Sequence, residues 1–532
     1  MKSINKIIFI LLFAAAIAGC KKNFLDRPST SQISSNNFYK TTSDLRLATA
    51  SLYGGSAWSQ WHNGALLQLG DILSGTANRQ WIGDWSQLYT RAITANNGVV
   101  SSGWTGLYNV IAQCNGVINA IQQQASASIP AADKNAAIAE AKFIRAVAYY
   151  HLAIYWGAVP IIEDNSKLIK NPLLNRNIVS DVYKFITNDL TYAAQNLPIK
   201  GETGRVTTWS AQGMLGKVYL TMAGLGKSGG QRDQKLLDLA IKYAGNVCKN
   251  SGLQLLGQDD PNHQGYYNLF RSQYNDNPES LFALQWAPGV TWGNGNRNLN
   301  FSPSNDINPQ KSAAWSPLYP SYDLYKMYTT QDSVRRKATI MLNGDFYPEL
   351  NAAGGGYKAD QVCMKKHIIG NEKDNAAPTM DPESSNEHNA ILRLADVYLV
   401  YAEAILGNNA TTSDGNAITY FNKVRARAGV EPVLFLDATT ILKERRIEFA
   451  FEGQYWMDLV RWSYYQPQQA VDWINKQDRA AFSFDATTHI AKRDTTVPAP
   501  TLPATISSFT TQIPGSELTM DPKLAAPPVP YY

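Results

Sequence analysis

Apolar residues recur at helical spacing along much of the chain. From Asp133 to Trp156, the residues Ala137, Ala141, Ile144, Ala148, Leu152 and Tyr155 fall on one face of a helix. Pro130 stands just ahead of this run, with Gly157 and Pro160 just past it, the punctuation of helix ends. A preceding helix is expected from about Trp104 to Gln124, and a second pair from near Ile178 and near Thr208, the latter stopping at Gly224. Lys235 to Lys249 carries Leu236, Leu239, Ala240, Tyr243 and Val247 on one side. Ile391 to Leu406 is apolar nearly all round, which predicts a buried helix, and helices over Gly415 to Ala428 and Thr440 to Phe451 follow. Starts recur about 29 residues apart in the first two pairs, and Ala211, Gly213 and Gly216 are small enough to let neighbours approach. The pattern predicts a mainly α protein built from stacked, tetratricopeptide-like helix pairs, each burying its face against the next. Between about Leu256 and Ala390 the periodicity fades into Pro, Gly, Asn and Asp, with Trp286, Trp292 and Trp315 among them. Loops this long usually carry function.

The start of the chain reads as a targeting segment. Lys2 and Lys6 precede an apolar run from Ile7 to Ala18, too short to cross a bilayer but suited to a secretion signal. It ends in Ile17-Ala18-Gly19-Cys20, which resembles a bacterial lipobox, with Ile17 where leucine is usual. That resemblance implies a signal peptide over residues 1–19 and lipid attachment at Cys20. Several acyl chains anchor a protein stably where one is marginal. Lys21-Lys22-Asn23 follows without an acidic residue, so the outer membrane is the expected location.

Composition removes several classes of function. Charged residues are 17% of the chain, and 28 Tyr, 17 Phe and 13 Trp rule out a disordered chain. A formal charge of +5 over 532 residues is no footprint for nucleic acid. Apart from Cys20 the cysteines are Cys114, Cys248 and Cys363, in no zinc spacing; buried free thiols are expected, with one disulfide as the alternative. The six histidines show no metal-binding spacing, and His151 sits inside an apolar helix as a core residue. Gly226-Lys227-Ser228 resembles the end of a phosphate-binding loop but lacks the earlier glycine and the preceding strand. Glu444, Glu448 and Glu452 share one helical face beside Arg445 and Arg446, a pattern for interhelical ion pairs rather than for two carboxylates facing each other across a substrate. No cofactor, metal or enzymatic reaction is indicated.

Longer segments carry a resemblance to a known family. Glu140 to Ile162, Gly204 to Gly224, Ile391 to Ile405, Phe421 to Val430 and above all Ile441 to Trp462 (ILKERRIEFAFEGQYWMDLVRW) are similar to blocks of the RagB/SusD family of nutrient-uptake lipoproteins, in the family's order. Asn23 to Pro28 after the lipobox also fits, while the final Pro-Tyr-Tyr departs from the family's asparagine-rich close. The resemblance implies a SusD-like fold, a right-handed stack of helix pairs with a long loop-rich ligand-binding region. It divides the chain into residues 20–285 and a C-terminal region, 286–532. It also implies capture of oligosaccharides at the cell surface and their delivery to a SusC-like TonB-dependent transporter. A peptide-capturing lid of the same transporter type is the alternative, and a helical-repeat protein-binding scaffold is the rival from another class. Arg145, Arg393, Asp396, Glu403, Arg425, Arg445, Glu448, Glu452, Asp458 and Arg461 are expected in buried ion pairs.

Two loop-like stretches combine aromatic planes with polar partners, as a sugar site requires. One runs from Arg79 to Trp85, the other from Trp292 to Tyr319. Trp81, Trp292 and Trp315 are the candidate stacking planes, with Trp85 and Tyr319 beside them; Arg79, Asp84 and Asn296 are the hydrogen-bonding candidates. The two stretches are expected to converge on one face.

Overall fold

A computed structural model describes residues 38–78, 83–287, 295–307, 314, 318–351, 354–370, 384–496 and 502–532. The helices used below are α1 (Thr42–Ala50), α2 (Gly55–Trp61), α3 (Gly83–Thr90), α4 (Gly98–Gln124), α5 (Ala131–Trp156), α6 (Val179–Asn196), α7 (Thr208–Gly224), α8 (Gln234–Asn250), α9 (Leu394–Leu406), α10 (Gly415–Arg427), α11 (Ala438–Glu448), α12 (Tyr455–Ser463) and α13 (Pro467–Asn475). From α4 to α10 each helix packs on the next, giving the stacked pairs that the sequence pattern predicts. The close approach of α7 to α8 depends on Gly216, where a Cβ would lie 2.9 Å from that of Ala244.

Of the boundaries that differ from the sequence reading, two have a clear local reason. Helix α4 begins at Gly98 rather than Trp104, because the Asn97 side chain accepts from the N–H groups of Val99 and Val100 at 3.0 and 3.2 Å and caps the helix there. The run from Ile391 does not start a helix. Asn389–Arg393 is a strand paired with Ser280–Leu284, and α9 begins only at Leu394. An apolar run of that length is ambiguous between strand and helix until its partner is known.

The strands are short. Among the described residues they form five antiparallel pairs: β1 (Ala77–Asn78) with β3 (Tyr319–Pro320), β2 (Ser280–Leu284) with β8 (Asn389–Arg393), β4 (Ile340–Met341) with β7 (Cys363–Met364), β5 (Phe346–Tyr347) with β6 (Tyr357–Lys358), and β9 (Phe482–Asp485) with β10 (Ile490–Arg493). The stretch that reads as featureless loop thus holds β2 to β7. One apolar core runs from Leu45 to Leu524 and is shared by the 20–285 and 286–532 regions.

Buried ion pairs bind the C-terminal helices to that core. Arg393 contacts Glu279 at 2.6 Å, Glu448 at 3.1 Å and Glu452 at 2.8 Å. Arg427 contacts Glu279 at 2.7 Å and also Glu448, while Arg335 reaches Glu444 and Glu448 at 2.6 and 3.2 Å. A second group joins Lys217 to Asp396, Arg445 to Asp396 and Asp458, and Arg461 to Asp458 and Glu403. Arg145 pairs with Asp189 at 2.8 Å, and Arg425 with Glu444 at 2.7 Å. The expected ion pairs are therefore found, with Arg425 half-buried rather than buried, together with partners that the sequence did not single out. The three described cysteines are free, and burial pushes the Cys114 and Cys363 thiols up. His151 is buried, its Nδ1 2.9 Å from the Val147 carbonyl, and burial lowers its pKa to about 4, leaving it neutral. The final tyrosines also pack: the Tyr531 N–H donates to Asp181 at 2.7 Å, and the Tyr532 hydroxyl accepts from Asn188 at 3.1 Å.

Candidate functional site

The β1–β3 pair is the base of the candidate site. Ala77 faces Pro320 and Asn78 faces Tyr319, antiparallel. Asn78, the residue before Arg79, therefore lies beside Tyr319, four positions after Trp315. Asn78 is buried and fastens this edge from below, its side-chain N–H donating to the Arg479 carbonyl at 2.7 Å. Arg79, Trp81, Trp292, Trp315 and Cys20 lie outside the described residues. Their described neighbours define where each stretch is held.

Two of the candidate residues act as supports. The Asp84 carboxylate accepts from the Gly98 N–H at 2.8 Å, and its carbonyl accepts from the Asn97 amide at 2.9 Å. It ties the stretch to the N-terminus of α4, where the helix dipole favours a negative group. Trp85 is half-buried against the core, its ring 5.8 Å from that of Phe301 at 51°. This contact joins the first stretch to the second.

Asn296 is corrected by the structure. It is fully buried, and its amide N–H groups go to the Glu387 carbonyl at 2.9 Å and the Asn389 side chain at 2.8 Å. Its side-chain oxygen accepts from the Asn298 N–H at 3.0 Å. An amide satisfied on all these sides holds the loop and does not face a ligand. The same Asn389 oxygen accepts from Trp286 Nε1 at 2.9 Å, so Trp286 is a buried anchor and not an open plane.

Nothing in the sequence pattern marks Asn63. Its side chain donates to the Gly295 carbonyl at 2.9 Å and accepts from the Arg297 N–H at 3.1 Å, clamping the chain just past Trp292. Asn63 sits in a π-helical turn, His62–Leu66, and such wide turns recur at functional sites. No helical-stripe argument predicts them. With Trp286 fastened on the other side, both ends of the Trp292 stretch are held on the body of the protein. Tyr319, half-buried in β3, lies at the common edge.

Among the described residues, no three His, Cys, Asp or Glu side chains are placed to hold a metal ion, and no helix is long and apolar enough to cross a membrane. A more apolar cleft of about 670 Å³ lies elsewhere, between α4 and the C-terminal segment, lined by Trp104, Tyr108, Leu173 and Met520.

Comparison with known proteins gives consistent matches. The profile of the SusD family matches residues 346–532, and one described as "Starch-binding associating with outer membrane" matches residues 23–220. A SusD-like protein of Bacteroides ovatus is 37% identical over 550 residues, covering 99% of this chain and 98% of its own. SusD-like protein P2 of Formosa agariphila is 25% identical over 489 residues, 86% of this chain and 90% of its own. A crystal structure solved with xylogluco-oligosaccharide superposes with a TM-score of 0.84 at 36% identity, over 92% of this chain and 99% of that one. A laminarin-binding SusD-like protein shares the fold at a TM-score of 0.67 and 22% identity, over 93% of this chain and 100% of that one.

Proposed function

The chain belongs to the RagB/SusD family, and we propose that it is a cell-surface lipoprotein that binds oligosaccharides and passes them to a SusC-like TonB-dependent transporter. The observation that supports a binding site here is the β1–β3 pairing, which sets Asn78, three positions before Trp81, beside Tyr319, four positions after Trp315. A relative of 36% identity solved with xylogluco-oligosaccharide supports the ligand class. Sugar rings present apolar C–H faces and hydroxyl rims. The indoles of Trp81, Trp292 and Trp315 stack on the faces, and Arg79 and Tyr319 bond the hydroxyls. Asp84, Trp85 and Asn296 hold the loops that carry them. Such a site binds without catalysing, because it needs neither paired carboxylates nor a metal.

Titration of the protein with xylogluco- and laminari-oligosaccharides, followed by analysis of the sugars, tests this reading. The expected result is saturable binding with every oligosaccharide recovered intact. Shortened products would identify an enzyme, and saturable binding of peptides with none of sugars would identify a peptide-capturing protein.

Membrane attachment rests on Cys20 and the lipobox-like residues before it. The family description places matching proteins in association with the outer membrane. Cys20→Ala should abolish palmitate labelling and release the protein from the membrane fraction. Labelling that persists in the variant would refute attachment at Cys20.

A further inference from the structure

The cleft of about 670 Å³ between α4 and the C-terminal segment has a largely apolar lining that reaches solvent. Leu173 and Met520, 42% and 66% exposed, form part of its wall, and Ile169, 85% exposed, follows the lining residue Leu168. Apolar side chains gathered at the surface in this way mark a contact with another molecule. We propose that this cleft docks the transporter, receiving a segment in which a basic side chain is flanked by apolar ones. The proposal rests on the transporter reading above and names the surface that serves it.

The walls are fixed by hydrogen bonds that use up most of their polar groups. The Tyr108 hydroxyl donates to the Pro160 carbonyl at 2.9 Å, and the Asn165 amide donates to the Ala112 carbonyl at 2.7 Å. The Asp521 carboxylate accepts from the Leu174 N–H at 2.7 Å and from that of Lys523 at 3.0 Å. These bonds tie α4, residues 160–174 and the C-terminal segment together, and a preformed shape lowers the cost of docking. They also leave few polar groups to match the hydroxyls of a sugar ring. Trp104 is 3% exposed, so its indole offers no stacking plane.

Glu517 sets the charge of the occupant. The lining holds two acids, Glu517 and Asp521, and no basic side chain. Burial pushes the Glu517 carboxyl up, a hydrogen bond with Trp104 opposes the rise, and the nearby Asp521 adds to it. Among the described residues no cation pairs with Glu517. A lysine or arginine entering the cleft supplies that cation while its aliphatic stem lies on the apolar wall. An anionic membrane surface would be repelled by the same two acids, so a protein fits this face better than lipid. A standard interface buries about 800 Å² on each partner, so the cleft seats the anchor of a larger contact, a position at which arginine is favoured.

The test places a photo-crosslinking benzoylphenylalanine at position 173 of the full chain in its own outer membrane and identifies the adduct by mass spectrometry. The expected adduct is the transporter, joined through a peptide with a lysine or arginine among apolar residues. Glu517→Lys should reduce the transporter recovered with the protein by about tenfold, because like charges then face each other, with oligosaccharide affinity and melting temperature unchanged. Leu173→Asp, at an exposed position, should give the same loss and serves where Glu517→Lys lowers the melting temperature. Transporter that co-purifies with wild type while the adduct is to lipid, to a second copy or to another protein, or while none forms, overturns this surface and leaves the transporter reading standing. Full recovery with both variants does the same. Wild type that recovers no transporter overturns both.

Discussion

Glu448→Ala should lower folding stability by about 3–5 kcal/mol, the cost of leaving buried charges without their partner. Glu448 is fully buried and contacts Arg393, Arg427 and Arg335 at once. Truncation leaves these guanidiniums sharing Glu279, Glu444 and Glu452, in a region buried from solvent. The effect should appear as a lower urea midpoint with the slope retained. The same residue sets part of the acid response. Burial pushes the Glu448 carboxyl up, but the guanidiniums of Arg427, Arg393 and Arg335, with Lys366, outweigh it and hold the pKa at about 2 against an ordinary 4.5. A depressed carboxylate stabilises the fold fully above its unfolded value and loses that contribution as pH falls through the folded one. Wild type should therefore weaken between about pH 4.5 and pH 2 more steeply than the variant. A variant with the wild-type urea midpoint would show that the cluster does not hold the helices together.

Trp315→Ala should weaken oligosaccharide binding by about tenfold or more without lowering the melting temperature. Stacking of a base on an aromatic side chain is worth about 1–3 kcal/mol, and a sugar face on an indole is a comparable contact. A loss of about 1.4 kcal/mol is one factor of ten in affinity. Calorimetry read beside thermal melting separates contact from folding. Normal binding by the variant, or binding lost only with the fold, would remove Trp315 from the site. Trp85→Ala should behave differently, because Trp85 packs on Phe301 beneath the loops. It should lower melting temperature and affinity together.

The helices were legible because burying one stripe leaves a period that sequence alone reveals. Asp133 to Trp156 was read to within two residues of α5. The start of α4 was not, since Gly98, Ser101, Ser102 and Gly103 have low helix propensity, and the cap at Asn97 together with burial of Val99 and Val100 overrides it. The β8 strand was missed because its identity depends on Ser280–Leu284, more than a hundred residues earlier. Ion pairing showed the same division. Arg393 and Glu448 were expected to be buried and paired, but Glu279, Lys217 and Arg335 became visible only once the chain was folded around them. At the candidate site, side-chain orientation was not readable. An asparagine near tryptophans suits a sugar site, yet Glu387 and Asn389 close around Asn296. Asp84 lies fourteen positions before the helix end that it serves. Asn63 left no trace, because nothing in a wide helical turn distinguishes a clamp from a solvated amide.

The account turns on where the oligosaccharide sits, and a crystal structure of the complex with a xylogluco-oligosaccharide measures that directly. The predicted result is sugar density over Trp81, Trp292 and Trp315, at the edge where Asn78 pairs with Tyr319. Sugar density in the apolar cleft beside Trp104 and Met520, with the tryptophan face empty, would contradict it.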